Sequence, residues 1–183
     1  DEIKKRLGNL PIIAEDLGVI TEEVEELRDG CHFPGMKILQ FAFNDEPWTE
    51  ESEENKDLPG NFKTSNVIVY TGTHDNDTTT GFFATASDEL KKNVSGYFNL
   101  EEGLSPKDFT RAFIEEAYKS KADTAIIPLQ DVFFLGSDAR MNMPSTTGTN
   151  WTWRMEEKML EGVKEASWLS ELSAKYKRNT FKS

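Results

Sequence analysis

An acidic pair is the first candidate for chemistry in this sequence. Glu15 and Asp16 come directly after an apolar run that ends at Ala14. A carboxyl group in this place can work as a general acid or base, because α/β folds open into a crevice at the carboxyl ends of their strands. The alternative is that both residues only begin a turn or cap a helix.

A histidine and an aspartate form the second candidate. His74 and Asp75 lie in the segment 72–77, directly after the apolar run 67–71. Glycine and asparagine in the same segment permit unusual backbone angles at the carboxyl end of the predicted strand. Simple capping of the loop is the alternative interpretation.

Polar and aromatic side chains make up a third group. Amide and guanidinium groups bind sugar hydroxyls, while aromatic faces cover the apolar side of a sugar ring. Buried tryptophans with satisfied polar partners would have the same composition, and for Phe41 and Phe43 core packing is favoured. The group comprises Gln130, Asp131, Arg140, Asn142, Asn150, Trp151, Trp153 and Arg154.

Other chemistries find little support. His32 is the only further histidine, and no spacing resembles a zinc site. Cys31 is the only cysteine and has no obvious base, so neither a disulfide nor a cysteine nucleophile is expected. The sequence contains no Gly-x-Ser-x-Gly turn and no glycine-rich phosphate loop. Carboxylate chemistry remains.

Composition excludes further classes. The 183 residues carry a net charge of −12, which disfavours a nucleic-acid partner, and 37% hydrophobic residues suffice for one domain. No apolar run approaches the roughly 20 residues that span a membrane. The first residue is Asp1 rather than methionine, so we expect the chain to begin inside a longer domain.

Short apolar runs separated by helical stretches must position these candidates. Near-continuous apolar runs are typical of parallel strands that helices cover on both faces, so an α/β architecture is predicted. Strands are predicted over 11–14, 36–43, 67–71 and 125–129. Helices are predicted over 21–29, 87–98, from 105 onward, and over 153–177 with a break near 166–170. The segment 45–63 reads as a long exposed loop with room for a short helix.

Four stretches, taken in order, resemble the amylomaltase or disproportionating-enzyme family, the 4-alpha-glucanotransferases of the alpha-amylase superfamily. They are IAEDLG at 13–18, FPGMKILQFAF at 33–43, VYTGTHDNDT at 69–78, and RMN at 140–142 with NWTWR at 150–154. Together they cover about residues 10–155. Four ordered matches are far more specific than one, and they favour a functional role for Glu15, His74 and Asp75.

The resemblance implies a (β/α)₈ TIM barrel. Residues 1–183 would be the C-terminal half of this catalytic barrel, a single incomplete domain with strands five to eight and their helices. Such barrels need about 250 residues, and four predicted strands agree with half of one.

The same resemblance implies roles for residues. Glu15 would be the general acid/base, and Asp75 the carboxylate that binds ring hydroxyls and stabilises the transition state, with His74 bonding the same ring. Further substrate contacts are implied for Phe41 as an aromatic platform in the acceptor region, Asn142, Gln130 and Arg140.

One family motif is absent. The nucleophile of the family is an aspartate in an Arg-x-Asp-His context, which this sequence lacks, whereas retaining transfer needs two carboxyl groups about 5 Å apart. We therefore expect the chain alone to be inactive and the missing N-terminal half of the barrel to supply the nucleophile.

The resemblance also implies partners and a compartment. Maltooligosaccharides and alpha-1,4-glucans would be the substrates, with no metal or organic cofactor, no nucleic acid and no membrane. The cytoplasm is the expected location, or the plastid stroma in a plant. Two alternatives are a carbohydrate-binding module without turnover and a half-barrel that self-associates through its open sheet edges.

Overall fold

The computed structural model describes residues 2–8, 10–101, 103–160 and 164–179. Its strands are β1 (Gly35–Ile38), β2 (Val67–Tyr70) and β3 (Thr124–Ile126). Its α-helices are α1 (Glu2–Leu7), α2 (Glu22–Gly30), α3 (Glu50–Glu53), α4 (Thr79–Ala84), α5 (Asp88–Phe98), α6 (Pro106–Lys119), α7 (Leu129–Val132) and α8 (Lys164–Lys175). Short 3₁₀ turns span Leu39–Ala42, Pro59–Asn61, Ser137–Ala139 and Glu157–Leu160.

The three strands form one parallel sheet in the order β1-β2-β3. Gly35 pairs with Val67, and Ile68 pairs with Thr124. Helices connect the strands, as parallel pairing requires, and the predicted α/β class is confirmed. Because all strands run the same way, the loops that follow them lie at one edge of the sheet.

The core lies between the sheet and the helices that follow β2. Val67 and Val69 of the central strand are buried, and the aromatic rings of α4 and α6 pack beside them. Phe83 stacks on Phe109 at a centroid distance of 4.5 Å and meets Phe113 edge-on at 5.0 Å. Burying such rings contributes a large part of the hydrophobic free energy.

Local signals set the starts of the longer helices. The Ser87 hydroxyl accepts a hydrogen bond from the backbone N–H of Leu90 at the start of α5. Ser105 and Asp108 form a reciprocal capping box at the start of α6, with Pro106 in its first turn. These caps satisfy backbone N–H groups that lack a partner within the helix. The helices predicted over 87–98 and from 105 are confirmed.

The predicted strand over 11–14 is wrong. This segment has no regular secondary structure and belongs to no sheet in the described part of the chain. A single backbone bond, from Ala14 N–H to the carbonyl of Pro34 at 2.9 Å, joins it to the residue before β1. Pro11 lacks an N–H group for a ladder, and one bond does not make a strand. The described sheet therefore has three strands where four were predicted.

Two other predictions need correction. The run 36–43 is a strand only as far as Ile38 and then forms a 3₁₀ turn, because an apolar run suits a buried helical turn as well as a strand. The expected break near 166–170 is absent, since α8 continues through these residues. There Trp168 packs near Phe134, with ring centroids 6.1 Å apart. Residues 161–163 of the predicted tail helix lie outside the described residues.

Arg178, near the end of the chain, forms hydrogen bonds at the C-terminal end of α6. The Arg178 guanidinium donates to the backbone carbonyls of Tyr118 at 2.6 Å, Ser120 at 2.8 Å and Ala122 at 2.9 Å. These carbonyls lie at or beyond the C-terminus of α6, where no N–H of the helix is left to bond them.

Replacing Arg178 with alanine is expected to lower the free energy of unfolding by about 2–4 kcal/mol. Charged hydrogen bonds contribute about 1.5–3 kcal/mol, and the change leaves several carbonyls without a donor. Urea denaturation measures the loss. Arg6→Ala is the matched control, because Arg6 forms an exposed pair with Glu2, and such a pair is worth about 0.5 kcal/mol. Equal losses in the two variants would contradict the role of Arg178.

Candidate functional site

The loop after β2 and the segment after α7 meet at the carboxyl edge of the sheet. His74 and Asp75 lie in the loop 71–78, which joins β2 to α4. The backbone N–H of Asn142 donates to the His74 carbonyl at 3.1 Å. Asp75 and Asn142, which lie 67 positions apart in the chain, are brought into contact in this way.

Asp75 is the centre of this cluster. Its Oδ1 accepts a hydrogen bond of 2.6 Å from Nδ2 of Asn142 and lies 3.4 Å from Nε2 of His74. The side chains of His74 and Asp75 are 56% and 50% exposed, so both can meet a ligand. Three residues that the sequence predicted for a site are therefore in contact.

Arg140 holds the backbone under the cluster. Its Nη2 donates to the carbonyl of Asp75 at 2.7 Å, and its Nε donates to the carbonyl of Asn142 at 2.8 Å. The guanidinium thus links the two loops through main-chain groups. Arg140 lies in the cluster, where its described bonds hold the backbone of Asp75 and Asn142, and its predicted contact with substrate stays a prediction.

Trp151 completes the cluster with an aromatic ring. Its indole lies 5.0 Å from the His74 imidazole, centroid to centroid, and the residue is 50% exposed. Its φ of 66° is unusual for a bulky side chain and costs about 1–3 kcal/mol. Bonds to Met141 and Arg154 hold its backbone in this conformation. Strain and exposure in one aromatic residue are typical of a functional site.

Gln130 lies below the exposed surface. The side chain is buried and donates to the carbonyl of Ala139 at 3.2 Å. With His74 and Arg140 it lines a cavity of about 120 Å³, which is smaller than the roughly 300 Å³ at the lower end of ligand pockets. In this chain Gln130 supports the loop after α7, and its predicted contact with substrate stays a prediction.

Glu15 and Asp16, the acidic pair of the sequence, lie in different environments. Asp16 is buried, pairs with Arg28 and accepts a hydrogen bond of 2.7 Å from the N–H of Met36. A Cβ at Gly35 would collide with its carboxylate, so a larger residue there would displace the Asp16 side chain. Asp16 is therefore an anchor of β1 rather than the helix cap of the alternative interpretation. Glu15 beside it is exposed, and its predicted role as general acid/base stays a prediction.

The two phenylalanines also divide. Phe43 is 6% exposed and packs among the rings of Trp48 and Phe98 in the core. Phe41 is 48% exposed, in the 3₁₀ turn that follows β1. Among the described hydrogen bonds and ring contacts, none joins Glu15 or Phe41 to the His74 cluster, so their place in a common site stays a prediction.

A buried network that the sequence did not reveal lies beneath the loop. Asp131 is 1% exposed, and it accepts hydrogen bonds from Thr71 and Thr79. Burial raises the pKa of this carboxyl group, while the threonine bonds oppose the change. The only signal in the sequence was an acidic residue just after an apolar run, which does not distinguish a buried carboxylate from an exposed one.

The described ranges also bear on metal-binding and membrane-spanning classes of protein. They contain no group of three or more His, Cys, Asp or Glu side chains that could hold a metal ion. None of the helices described there is long and apolar enough to cross a membrane.

The fold and the cluster together define a class. The chain is a parallel α/β protein with carboxylate, imidazole, amide and indole groups assembled at the carboxyl edge of its sheet, the edge where α/β enzymes place their sites.

The chain belongs to the 4-alpha-glucanotransferase family, whose sequence model matches residues 1–160. A 4-alpha-glucanotransferase from Synechocystis is 47% identical over 91% of this chain and 30% of its own length. The chloroplastic/amyloplastic enzyme of Solanum tuberosum is 49% identical over 85% of this chain and 25% of its own length. The family resemblance seen in the sequence is thereby confirmed.

Solved structures agree with this assignment. Amylomaltase from Streptococcus agalactiae, in complex with acarbose, superposes with a TM-score of 0.84 and 37% identity over 97% of this chain and 34% of its own. The amylomaltase-like α/β fold is thus shown. The chain spans 25–34% of the length of these relatives. Its assignment to strands five to eight, in the C-terminal half of the barrel, is not confirmed by these shares and stays a prediction.

Proposed function

We propose that this chain is part of a 4-alpha-glucanotransferase that transfers alpha-1,4-glucan segments between maltodextrins. The observation that carries the proposal is the exposed contact of Asp75, His74 and Asn142 at the carboxyl edge of the sheet. The family assignment supports it, and the related Streptococcus agalactiae structure is described in complex with acarbose.

Transfer proceeds by two displacements at the anomeric carbon. Glu15 gives a proton to the leaving glycosidic oxygen while a carboxylate from the rest of the barrel bonds to the carbon, which breaks the bond to the leaving sugar. Glu15, now ionised, then removes the proton from the 4-hydroxyl of an acceptor sugar. The acceptor oxygen bonds to the carbon and releases the carboxylate, so the enzyme returns to its first state.

Asp75 stabilises the positive charge that develops on the sugar ring. Asn142 occupies Oδ1 of Asp75 at 2.6 Å, which leaves Oδ2 to accept bonds from ring hydroxyls. A carboxylate held in advance needs no reorganisation when the charge appears. His74, 3.4 Å from the same oxygen, bonds the same ring.

Aromatic groups on the same edge position the sugars. The exposed indole of Trp151 beside His74 can cover the apolar face of a ring, and Phe41 does so for the acceptor. An oriented acceptor has a high effective concentration, which lets transfer exceed hydrolysis by water. We place this reaction in the cytoplasm or in the plastid stroma. The relative from Solanum tuberosum is named chloroplastic/amyloplastic.

The purified 183-residue chain is expected to convert no maltotriose, because it supplies Glu15 but not the nucleophile. The complete enzyme is expected to release glucose and longer dextrins in the same assay. Adding the rest of the barrel as a separate chain should restore part of this activity. Glucose release by the 183 residues alone would show that the nucleophile lies within them. Binding of maltotriose in calorimetry without turnover by the complete protein would favour a carbohydrate-binding module.

A further inference from the structure

A single buried carboxylate holds both ends of the loop that carries His74 and Asp75. Oδ2 of Asp131 accepts bonds from the hydroxyls of Thr71 at 2.5 Å and Thr79 at 2.7 Å, and its Oδ1 accepts the N–H of Thr79 at 2.7 Å. Thr71 directly follows β2, and Thr79 is the first residue of α4. The separation of the two loop ends is therefore set by one side chain.

A second side chain holds the same loop from the neighbouring strand. Nε2 of Gln40, which follows β1, donates to the carbonyl of Asp77 at 3.0 Å and contacts the Thr79 hydroxyl at 3.4 Å. A Cβ at Gly72 would lie 2.6 Å from this amide nitrogen. A side chain at Gly72, the second residue of the loop, would therefore displace the Gln40 amide, and the loop ends on a threonine that two side chains bond.

The desolvation cost of burying Asp131 indicates that this residue does more than fill space in the core. Asp131 is 1% exposed, and a buried carboxylate loses solvation that hydrogen bonds restore only in part. An apolar residue would fill the space without this cost. It would not bond Thr71 and Thr79 at once.

We propose that Asp131, through Thr71 and Thr79, is a positioning residue that sets the place of Asp75 against the reacting sugar. This inference rests on the proposed glucanotransferase function. Asp131 itself touches no substrate. It acts through the loop ends, while Arg140 holds the middle of the loop by its bond to the Asp75 carbonyl.

A pair of threonine variants in the complete enzyme separates positioning from stability. Thr79 and Thr110 are both 0% exposed and both use their hydroxyls in hydrogen bonds, but Thr110 bonds the Pro106 carbonyl and the Thr80 hydroxyl and takes no part in the described bonds to Asp131. Thr79→Val is expected to lower kcat for maltotriose about 10- to 100-fold, because a misplacement of about 1 Å can cost 100-fold. Thr110→Val is expected to keep kcat within about 2-fold of the wild-type value, while its Tm falls by about as much as that of Thr79→Val. Thr79→Ser restores the hydroxyl and should recover most of the rate.

The outcomes are distinct. Equal kcat in Thr79→Val and Thr110→Val would show that the network serves stability alone and would overturn the proposal. Failure of Thr79→Ser to recover the rate would overturn it as well. If Thr79→Val does not fold, Thr71→Val, which removes the other hydroxyl, decides in its place by the same comparison. A wild-type enzyme that releases no glucose from maltotriose would instead refute the proposed function, and with it this inference.

Discussion

Replacing Glu15 with glutamine in the complete enzyme is expected to lower kcat for maltotriose by about 10²- to 10⁴-fold, the usual contribution of general acid–base catalysis. Glutamine keeps the shape of the side chain but can neither give a proton to the leaving oxygen nor take one from the acceptor. Because Glu15 is exposed and its neighbour Asp16 supplies the bonds to β1, the variant should fold and unfold as the wild type does.

Glu22→Gln is the matched control for this variant. Glu22 is an exposed glutamate in the first turn of α2, so the same chemical change occurs nearby without loss of activity. Glucose release is measured for both variants, and thermal unfolding verifies that both are folded. Near wild-type glucose release by Glu15→Gln would contradict the assignment of Glu15 as the general acid/base.

Replacing Asp75 with asparagine is the second change with a large expected effect. It removes the negative charge but keeps an oxygen that can accept the bond from Asn142. Groups that stabilise charge developing in the transition state are typically worth about 10²- to 10³-fold in kcat. We expect a loss of this size, with little change in Tm, because the Asp75 side chain is 50% exposed.

Asp123→Asn serves as the control for Asp75. Asp123 is exposed and immediately precedes β3, at the opposite edge of the sheet from the His74 cluster. Steady-state kinetics with maltotriose should show wild-type rates for Asp123→Asn. If Asp75→Asn behaved like this control, the carboxylate of Asp75 would have no part in charge stabilisation.

The parts of the fold that were predictable rest on local chemistry. The continuous apolar run of β2 predicts a strand buried on both faces, and Val67, Ile68 and Val69 are buried. Ser87 and Ser105 predict helix starts because their hydroxyls cap the first turns. The 3₁₀ turn Leu39–Ala42 was not predictable, since its apolar residues suit a strand equally well.

Part of the candidate site was likewise predictable. His74, Asp75, Arg140 and Asn142 were named from their types and their places after strands, and the structure brings them into contact. The network around Asp131 was not, because its partner Thr71 lies 60 positions away in the chain. No spacing rule joins residues so far apart.

The acidic pair Glu15 and Asp16 separates what the sequence determines from what the tertiary structure decides. The sequence by itself determined that Glu15 and Asp16 follow an apolar run, and its ordered motifs indicated the 4-alpha-glucanotransferase family. Only the tertiary structure decided which of the two is exposed. Asp16 meets Arg28 and the N–H of Met36, so it is buried as an anchor, while Glu15 stays exposed. Two adjacent carboxylates have the same chemistry, and their roles differ because the partners that the fold brings to each are distant in sequence.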